Sequence, residues 1–351
     1  MTAPAGGHLL EVRHLTMYFP VRGSRDGRVV KAVDGVSFHI DEGETLALVG
    51  ESGCGKSTLA RAVARLYRPT AGDILFRGEN LARLEGEPLR RARRQLQMIF
   101  QDPYASLNPR MNVQQIVSEP LRNFPSGRNG RGAMAARVAE LLATVGLDAA
   151  ALRRYPHEFS GGQRQRSGIA RALALRPALI LADEPLSALD VSIQAQIVKL
   201  LRELQLKFRL SYLFISHDLS VVAHLSSRVA VMYLGEIVES GPTAEVFVRP
   251  HHPYTEALLS AVPIPDPAAE RARSRIVLAG DVPSAADKPS GCPFHTRCPY
   301  VYERCLMEKP LLVSHAPGRQ AACHLLDEPE RHPRPKTAQP VAATDPGSSQ
   351  G

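Results

Sequence analysis

A glycine-rich segment near the N-terminus has the residue types and spacing of a phosphate-binding loop. It reads Gly-Glu-Ser-Gly-Cys-Gly-Lys-Ser over residues 50–57, which fits the pattern G-x-x-x-x-G-K-[ST]. The apolar run 45–49 precedes it and an amphipathic run over 56–66 follows, so we predict a strand, the loop and a helix in that order. Glycines let successive backbone N–H groups turn toward phosphate oxygens, and the helix N-terminus adds positive potential. The segment therefore predicts a nucleoside triphosphate site.

The side chains of this loop have separate predicted roles. Lys56 would neutralise the β- and γ-phosphates, and the Ser57 hydroxyl would ligate Mg²⁺. The other predicted nucleotide-binding residues of the segment are Gly50, Ser52, Gly53, Cys54, Gly55 and Thr58. Cys54 lies near a helix N-terminus and a lysine, which would favour a reactive thiolate. A small residue that merely fits the loop is the simpler interpretation of Cys54.

Two adjacent carboxylates follow a second apolar run. Residues 179–182 read Leu-Ile-Leu-Ala, and Asp183 and Glu184 come next. A buried strand here would open its C-terminal end onto the nucleotide site. Asp183 would hold the Mg²⁺ shell through water, and Glu184 would accept a proton from the attacking water. Many strands end in a solvated acidic turn, so these two residues gain significance only beside the other motifs.

A third motif lies between the phosphate loop and the carboxylates. Residues 159–166 read Phe-Ser-Gly-Gly-Gln-Arg-Gln-Arg, which resembles the signature motif of ABC-type ATPases. Ser160 is a good N-cap for a helix that we expect to run to about residue 175, so a second backbone N–H anion site is predicted there. The resemblance implies that the γ-phosphate of a nucleotide on the opposite subunit is gripped by Ser160, Gly161, Gly162 and Gln163. Hydrolysis would then require two cassettes packed head to tail.

Further landmarks of that family occur in the expected order. Gln101 follows a predicted strand, and the resemblance implies that it contacts Mg²⁺ and the attacking water. Asp190, in Ser-Ala-Leu-Asp, resembles the residue that bridges the two subunits. His217 resembles the switch histidine that hydrogen-bonds the γ-phosphate. Phe19 is the candidate for stacking on adenine and Tyr18 is the alternative, although either ring could belong to the core.

Longer segments narrow the resemblance to the ATP-binding subunits of dipeptide and oligopeptide importers. They lie at residues 33–37, 101–110, 154–158 and 252–255, and the run Ala-Val-Pro-Ile-Pro-Asp-Pro at 261–267 resembles the second ATPase of the importer pair. The resemblance implies an ATPase that uses ATP and Mg²⁺ to energise peptide import across the bacterial cytoplasmic membrane. It implies a heterodimer with a second ABC ATPase, two membrane-spanning permease subunits and, indirectly, an external peptide-binding protein. The expected location is peripheral, on the cytoplasmic face of the membrane.

Two alternatives to peptide import stay open at the level of sequence. Importers of nickel or glutathione share these motifs, because the external binding protein and the permeases choose the cargo. A soluble ABC ATPase of DNA repair or translation is the other alternative. Repair members insert a long coiled coil between the phosphate loop and the signature, and translation members usually carry two cassettes. Neither pattern is found in this sequence.

Four of the five cysteines, Cys292, Cys298, Cys305 and Cys323, are concentrated near the C-terminus. Their spacing contains no C-x-x-C and so fits a zinc ribbon poorly, and a reducing cytosol disfavours disulfides. Four thiolates can ligate Zn²⁺ or an iron–sulfur cluster, and buried thiols without a ligand are the third option. Members of the importer group carry a [4Fe–4S] cluster on such an extension, so the resemblance favours that cluster over Zn²⁺.

The elements that must position these residues follow from the hydrophobic pattern. Short apolar runs alternate with amphipathic segments over residues 9–250, which predicts an α/β fold with a largely parallel sheet. Strands are predicted at 178–182 and 212–215, with an amphipathic helix between them. A hairpin with a turn at Gly235 and Glu236 is predicted near residue 235. The resemblance implies a P-loop NTPase of the ABC cassette type, in which antiparallel β and α-helical subdomains join a RecA-like core.

Composition and charge limit the class of protein and the partners that are possible. Of 351 residues, 44% are hydrophobic, so a packed core is expected and a largely disordered chain is excluded. We predict a cassette over residues 1–250 with a helical subdomain at about 102–165, a small irregular cysteine-rich extension over 251–325, and a disordered tail over 326–351. The net charge is +8, but the densest basic run, Arg90, Arg91, Arg93 and Arg94, is not interleaved with aromatic residues on which bases could stack. No nucleic-acid partner is therefore expected. The sequence shows neither a signal peptide nor an apolar membrane span, so a cytosolic protein is expected.

Overall fold

The computed structural model describes residues 7–21, 23, 27–124, 131–263, 266, 271 and 275–331. Within these ranges the chain divides into two compact units. Of the described residues, the first unit takes those within 7–18, 33–47 and 56–216. The second unit takes those within 19–32, 48–55 and 217–331.

The secondary structure alternates strands and helices along most of the chain. The strands are β1 Leu10–Pro20, β2 Val29–Ile40, β3 Thr45–Val49, β4 Ala71–Phe76, β5 Glu79–Asn80, β6 Leu96–Ile99, β7 Leu179–Asp183, β8 Ser211–Ile215, β9 Arg228–Tyr233, β10 Glu236–Pro242, β11 Val313–Ala316 and β12 Arg319–Ala321. The helices are α1 Lys56–Val63, α2 Gly86–Gln95, α3 Pro103–Ser106, α4 Val113–Asn123, α5 Arg131–Thr144, α6 Gly161–Leu173, α7 Val191–Phe208, α8 Leu219–Leu225, α9 Thr243–Val248, α10 Pro253–Ser260 and α11 Glu303–Met307. Short 3-10 turns lie at Ala149–Arg153, Pro156–Glu158, His324–Leu326 and Pro329–Arg331.

The core of the first unit is a sheet in the order β3-β8-β7-β6. β6, β7 and β8 run parallel, with Asp183 opposite Ile215 at their carboxyl ends. Every residue of β7 and β8 is buried, as expected for parallel strands covered on both faces. β3, β7 and β8 lie where strands were predicted, and their ends differ from the prediction by at most one residue.

Helix α7 connects β7 to β8 as the predicted crossover. Its buried side chains are Ile197, Leu200, Leu201 and Leu204, which recur at the spacing of one helical face. It ends where Arg209 adopts a left-handed conformation with φ of 52°. The Tyr212 hydroxyl of β8 donates to the Leu201 carbonyl of this helix at 3.2 Å, so α7 lies beside β8, the strand that pairs with β7.

A smaller antiparallel sheet, in the order β2-β1-β4-β5, is formed mainly by the first unit. The register of β1 and β4 shifts between Arg13 and Thr16, which marks a bulge. Residues 102–165, the predicted helical subdomain, contain α3, α4, α5 and two of the 3-10 turns. Asn112 starts α4 with a capping box in which Gln115 is the reciprocal partner.

The second unit contains the strand order β9-β10-β12-β11, and its described pairings are antiparallel. The β9–β10 hairpin was predicted, but its turn is formed by Leu234 and Gly235 instead of Gly235 and Glu236. Both turn residues have positive φ, 45° and 83°. That combination is typical of the turns that match the twist of paired strands. A leucine rarely adopts it, so the sequence pattern placed the turn one residue late.

The prediction of an irregular C-terminal extension is wrong in one respect. β12 pairs with β10, with Ala321 opposite Glu239, so the extension adds two short strands to the sheet of the second unit. The predicted disorder after residue 325 is wrong for residues 326–331, where a 3-10 turn places the Arg331 guanidinium 4.5 Å from the centre of the Tyr302 ring. Residues 332–351 lie outside the described ranges. Among the described helices, none combines the length and the hydropathy needed to cross a membrane.

Candidate active site

The phosphate loop approaches neighbouring backbone so closely that two of its glycines cannot be replaced. A Cβ on Gly50 would lie 2.2 Å from the Met232 carbonyl oxygen. A Cβ on Gly55 would lie 2.0 Å from the Ala32 carbonyl oxygen, and φ is positive at both glycines. The glycine pattern therefore reflects close backbone contact inside the second unit.

The remaining predicted residues of this loop differ in exposure. Cys54 is 3% exposed, and its carbonyl oxygen accepts a hydrogen bond of 2.9 Å from the Gly235 N–H. This burial favours the interpretation of Cys54 as a small residue that fits the loop. Ser52 and Gly53 lie on the exposed tip, and Thr58 is half-buried in the first turn of α1.

In the first unit, α1 and β7 bring a hydroxyl and a carboxylate together. Ser57 Oγ donates a hydrogen bond of 2.7 Å to Asp183 Oδ1, and Arg61 Nη2 lies 3.7 Å from Asp183 Oδ2. Asp183 is fully buried, and burial raises the pKa of its carboxyl group, whereas the Ser57 hydrogen bond lowers it. Among the described residues, none donates a hydrogen bond to Asp183 Oδ2. A buried carboxylate oxygen without a donor is well suited to a cation or to the water of its coordination shell.

Glu184 follows directly after β7 in an unusual backbone conformation. Its φ is 43°, its N–H donates to the Ile215 carbonyl at 3.1 Å, and its carbonyl accepts the Ser187 hydroxyl at 3.1 Å. Left-handed backbone at a non-glycine residue costs roughly 1–3 kcal/mol and persists only where the surroundings hold it. Gln101 Nε2, just beyond β6, donates a hydrogen bond of 2.8 Å to Glu184 Oε2. The parallel strands thus bring these two predicted residues together and aim the Glu184 carboxylate.

The signature residues begin α6 as predicted. Gln163 N–H donates to Ser160 Oγ at 3.3 Å, and Ser160 N–H donates to the Gln163 side-chain oxygen at 3.1 Å. A Cβ on Gly162 would lie only 2.7 Å from Ile193 Cγ2 of α7, whereas Ser160 is exposed. Asp190, also exposed, is the N-cap residue of α7. The first unit therefore presents a helix N-terminus and an acidic residue on its surface.

Two further predicted nucleotide-site residues, His217 and Phe19, also belong to the second unit. His217 is exposed and immediately precedes Asp218, the residue that caps α8. Phe19 is half-buried near the end of β1. The hydroxyl of its alternative, Tyr18, donates to Asp34 Oδ1 at 2.5 Å in the first unit. The roles of His217 and Phe19 stay predictions.

The four C-terminal cysteines converge in the second unit. Burial raises the pKa of Cys292 to about 11 and the pKa values of Cys298 and Cys323 to about 12, and nearby cysteines add to each shift. Backbone N–H groups donate to three of the sulfurs and act in the opposite direction; they belong to Phe294 and His295 for Cys292, Tyr300 for Cys298 and Leu325 for Cys323. The Cys292 N–H also donates to the Cys305 carbonyl at 2.9 Å. Such N–H donors favour thiolate over thiol, whereas burial without a cation favours thiol.

Sequence reasoning missed three residues that hold the phosphate loop within the second unit. Glu51 N–H donates to the Tyr254 hydroxyl at 2.7 Å, and the Arg297 guanidinium makes two hydrogen bonds, of 2.7 and 3.0 Å, to the Glu51 carboxylate. Tyr254 lies in a segment that carried the family resemblance, but nothing in that pattern pointed to the loop. Glu51 and Arg297 are 246 residues apart, so no local signal connects them.

Two family descriptions match this chain. The family described as ABC transporter matches residues 33–187. The family described as oligopeptide/dipeptide transporter, C-terminal region, matches residues 238–305, which include Cys292, Cys298 and Cys305. The two matches cover the phosphate loop, the signature and the carboxylates in one case, and most of the cysteine segment in the other.

Curated relatives match over nearly their whole length. The chain is 54% identical over 331 residues to the oligopeptide transport ATP-binding protein AppF of Bacillus subtilis (strain 168), covering 93% of this chain and 99% of AppF. It is 50% identical over 309 residues to the oligopeptide transport ATP-binding protein OppF of Escherichia coli (strain K12), covering 87% of this chain and 92% of OppF.

Solved structures confirm the cassette fold. The ATP-binding cassette MJ0796, in a dimeric post-hydrolysis state bound to ADP and Pi, superposes with a TM-score of 0.60 at 28% identity. That match covers 67% of this chain and 98% of the cassette. Another dimeric structure of MJ0796, a bacterial ABC transporter cassette, has a TM-score of 0.61 at 28% identity and the same coverage.

Proposed function

The chain belongs to the family of ABC transporter ATP-binding proteins that carry the oligopeptide/dipeptide transporter C-terminal region, and from that premise we propose that it hydrolyses ATP to energise the import of di- and oligopeptides. The observation that carries the ATPase chemistry is the arrangement at the end of β7, where Ser57 contacts Asp183 and Gln101 contacts Glu184. The peptide cargo is proposed from the names of the relatives and from the match of the C-terminal region.

The residues at the end of β7 fit a magnesium ion. Asp183 offers a buried oxygen that receives no hydrogen bond from the described residues, and the Ser57 hydroxyl is already beside that carboxylate. We assign Ser57 and Gln101 as direct Mg²⁺ ligands and Asp183 as a ligand through water. When bound, Mg²⁺ neutralises charge on the β- and γ-phosphates. Lys56, 4% exposed, is assigned to the same phosphates. The other loop residues, Gly50, Ser52, Gly53, Cys54, Gly55 and Thr58, are assigned to nucleotide binding.

Glu184 is assigned as the general base for the attacking water. Its left-handed backbone and the hydrogen bond from Gln101 fix the direction of its carboxylate before any nucleotide binds. A general base contributes typically 10²- to 10⁴-fold to a hydrolytic rate, so this residue should dominate turnover. We assign His217 to the γ-phosphate and Phe19 to adenine stacking, as the family resemblance implies.

The signature segment is assigned to a nucleotide held by another cassette. Ser160 is exposed at the N-terminus of α6, where backbone N–H groups and the helix dipole attract anions. The similarity to a cassette in dimeric states supports this arrangement, and Asp190 is assigned to the same interface. We propose a heterodimer with a second ABC ATPase that works with two permease subunits and an external peptide-binding protein. The chain would then be peripheral, on the cytoplasmic face of the membrane.

The four cysteines fit a ligated cation better than four free thiols. Three of the sulfurs receive backbone N–H donors and interact electrostatically with other cysteines, and such donors favour the thiolate form that a bound cation requires. Among the described residues, no three of the sulfurs lie within 4.8 Å of one another. A tetrahedral zinc site, with Zn–S bonds of about 2.3 Å, would place its sulfurs roughly 3.8 Å apart. The sulfurs are thus spaced more widely than around a single zinc ion, which favours a larger group. We therefore propose a [4Fe–4S] cluster, with Zn²⁺ as the alternative. Iron, acid-labile sulfide and zinc analysis of anaerobically purified protein decides between them.

Peptide uptake by reconstituted vesicles tests the proposed function. Proteoliposomes would contain this chain, its partner ATPase and the two permeases. The binding protein and a radiolabelled tripeptide would be added on the side of the membrane opposite to the ATPases. Wild type should accumulate the tripeptide only when ATP and Mg²⁺ are supplied, and E184Q should accumulate none. E203Q, an exposed glutamate on α7, is the matched control and should transport like wild type. ATP-driven uptake of nickel or of γ-linked glutathione, without uptake of a tripeptide of ordinary α-linked residues, would overturn the peptide assignment.

A further inference from the structure

One ion pair connects the cysteine segment to the phosphate loop. Arg297 lies between Cys292 and Cys298, and its guanidinium donates to both oxygens of Glu51, at 2.7 and 3.0 Å. The Arg297 side chain is 7% exposed and that of Glu51 is 29% exposed. A two-pronged arginine–carboxylate pair in a largely buried place constrains direction as well as distance. Exposed ion pairs, by contrast, contribute little.

Glu51 is held at three points. Besides the carboxylate contact, its N–H donates to the Tyr254 hydroxyl at 2.7 Å, and its carbonyl oxygen accepts the Cys54 N–H at 3.3 Å. Most backbone N–H groups of a phosphate loop turn toward the phosphates, but this one is committed to Tyr254. Both outside anchors, Arg297 and Tyr254, come from the C-terminal part of the chain. The first bend of the phosphate loop therefore depends on residues that sequence motifs for ATP binding do not include.

An aromatic cluster ties these anchors to the cysteines. The ring centre of Phe294, two residues after Cys292, lies 5.4 Å from that of Tyr254 and 5.3 Å from that of Tyr233. Phe294 is 1% exposed, its N–H donates to the Cys292 sulfur, and its carbonyl accepts the Arg297 N–H at 3.0 Å. A change in how Cys292 is held would therefore move the backbone that carries both Phe294 and Arg297.

We propose that Arg297 is a positioning residue for the phosphate loop, so that an intact four-cysteine segment sets the affinity of the loop for ATP. The proposal rests on two assignments of the proposed function, this loop to ATP and the four cysteines to a bound cluster or ion. Arg297 acts through Glu51 and takes no part in the chemistry. Because the cysteines flank Arg297 on both sides, loss of the group that they hold would release the arginine and loosen the loop.

The experiment compares full-length, cluster-loaded proteins: wild type, R297Q, R297K, E51Q and the R297Q/E51Q double variant. R304Q is the matched control, since Arg304 adjoins Cys305 and forms ion pairs only with Glu308 and Asp327 among the described residues. Equilibrium binding of Mg²⁺ with a slowly hydrolysed ATP analogue gives the affinity. Hydrogen exchange of peptides over residues 48–58 reports the loop, and iron content reports the cysteine site.

R297Q should weaken nucleotide affinity about tenfold, within the usual range of coupling between two sites, and should speed exchange in residues 48–58 while iron content stays normal. E51Q should do the same, and the double variant should be no weaker than either single one, because both changes remove the same pair. R297K should recover part of the affinity, and R304Q should match wild type. A purely structural Arg297 would lower the melting temperature without moving affinity.

C305S gives a second measurement that does not alter the pair. It should speed exchange in residues 48–58 when Arg297 is present and add nothing in the R297Q background. If R297Q and wild type bind the nucleotide equally and exchange at equal rates, the positioning role is wrong, although the ATP site stands. If wild type itself binds no nucleotide, the proposed function fails and this inference fails with it.

Discussion

We assign metal ions to two sets of side chains in this molecule, and the two sets differ in how their charge is satisfied. In the first unit, the assigned oxygen ligands already have protein partners: Ser57 donates to Asp183, and Gln101 donates to Glu184, the assigned general base. In the second unit, four thiols converge where burial raises the pKa values of three of them to about 11 or 12. The oxygen set is stable as neighbouring protein groups, whereas the sulfur set can become four thiolates only beside a cation.

Because of this difference, we expect the oxygen set to determine ligand affinity and the sulfur set to determine the stability of the fold. Strand ends and backbone hydrogen bonds hold the oxygen ligands, so the first unit should fold the same with or without a nucleotide. The cysteine segment has short elements, of which α11 has five residues and β12 three, so a bound group would supply much of its order. Variants of the first set should therefore lose ligand affinity, and variants of the second set should lose stability.

The largest effect is expected from removing one sulfur. C305S should lose its iron and unfold at lower urea concentration, with the free energy of unfolding reduced by on the order of 3 kcal/mol, because a tightly held group stabilises only the folded state that binds it. C54A is the control, since Cys54 lies in the phosphate loop, and it should keep the iron of wild type. If C305S kept normal iron content and normal stability, the sulfur set would not stabilise the fold through a bound group, and the proposed difference between the two sets would be wrong.

A change in the phosphate loop, which adjoins the oxygen set through Ser57, should produce the opposite pattern. K56M keeps the length of the side chain but removes the charge that faces the phosphates, so ATP affinity should fall about a hundredfold, as loss of two charge-assisted hydrogen bonds of ~1.4 kcal/mol each would give. Calorimetry should find the melting temperature of the nucleotide-free protein unchanged within a few degrees. If K56M unfolded as readily as C305S, the nucleotide site would contribute to the free energy of unfolding as much as the sulfur set does.

Acid should destabilise the second unit through one buried histidine. Burial lowers the pKa of His252 to about 3 from an ordinary value near 6.5, and its Nδ1 accepts the Tyr254 N–H at 3.1 Å. Because the folded pKa is depressed, the stabilisation is complete above pH 6.5 and is lost as pH falls toward 3. At pH 5 the loss is about 2 kcal/mol.

The matched variant for this prediction is H252N, which does not titrate and whose side-chain oxygen can still accept the Tyr254 N–H at the start of α10. Urea unfolding at pH 7 and pH 5 should give a smaller decline for H252N than for wild type. H157N changes an exposed histidine and should decline as wild type does. Equal declines in wild type and H252N would contradict the buried, neutral state of His252.

The smallest effect compares two glycines of α6 in the first unit. A Cβ on Gly162 would lie 2.7 Å from Ile193 Cγ2, whereas a Cβ on Gly168 would meet no described atom within 4 Å. G162A should therefore reduce the free energy of unfolding by roughly 1 kcal/mol, and G168A should raise it slightly because alanine favours a helix. Thermal unfolding of both variants measures the difference. Equal changes in the free energy of unfolding for the two variants would mean that Ile193 of α7 moves aside at no cost to admit the new methyl group.

Local patterns predicted more of the site than long-range contacts did. The phosphate loop, the Ser160 cap and the acidic end of β7 are each encoded within a few adjacent residues, so the sequence indicates them directly. The contacts of Gln101 with Glu184 and of Arg297 with Glu51 join residues 83 and 246 positions apart, and only the folded sheet brings them together. β11 and β12 were missed because strands of four and three residues carry too little alternation to recognise.

In the proposed mechanism, Glu184 drives hydrolysis of an ATP that two cassettes enclose. The direct measurement is the mass in solution and the ATP turnover of E184Q, with and without Mg²⁺-ATP, by light scattering and phosphate release with the partner ATPase present. E184Q should keep its affinity for ATP, stay associated as a dimer in the presence of ATP, and turn over at least about a hundredfold more slowly than wild type. Turnover at the wild-type rate in E184Q would show that Glu184 is not the general base.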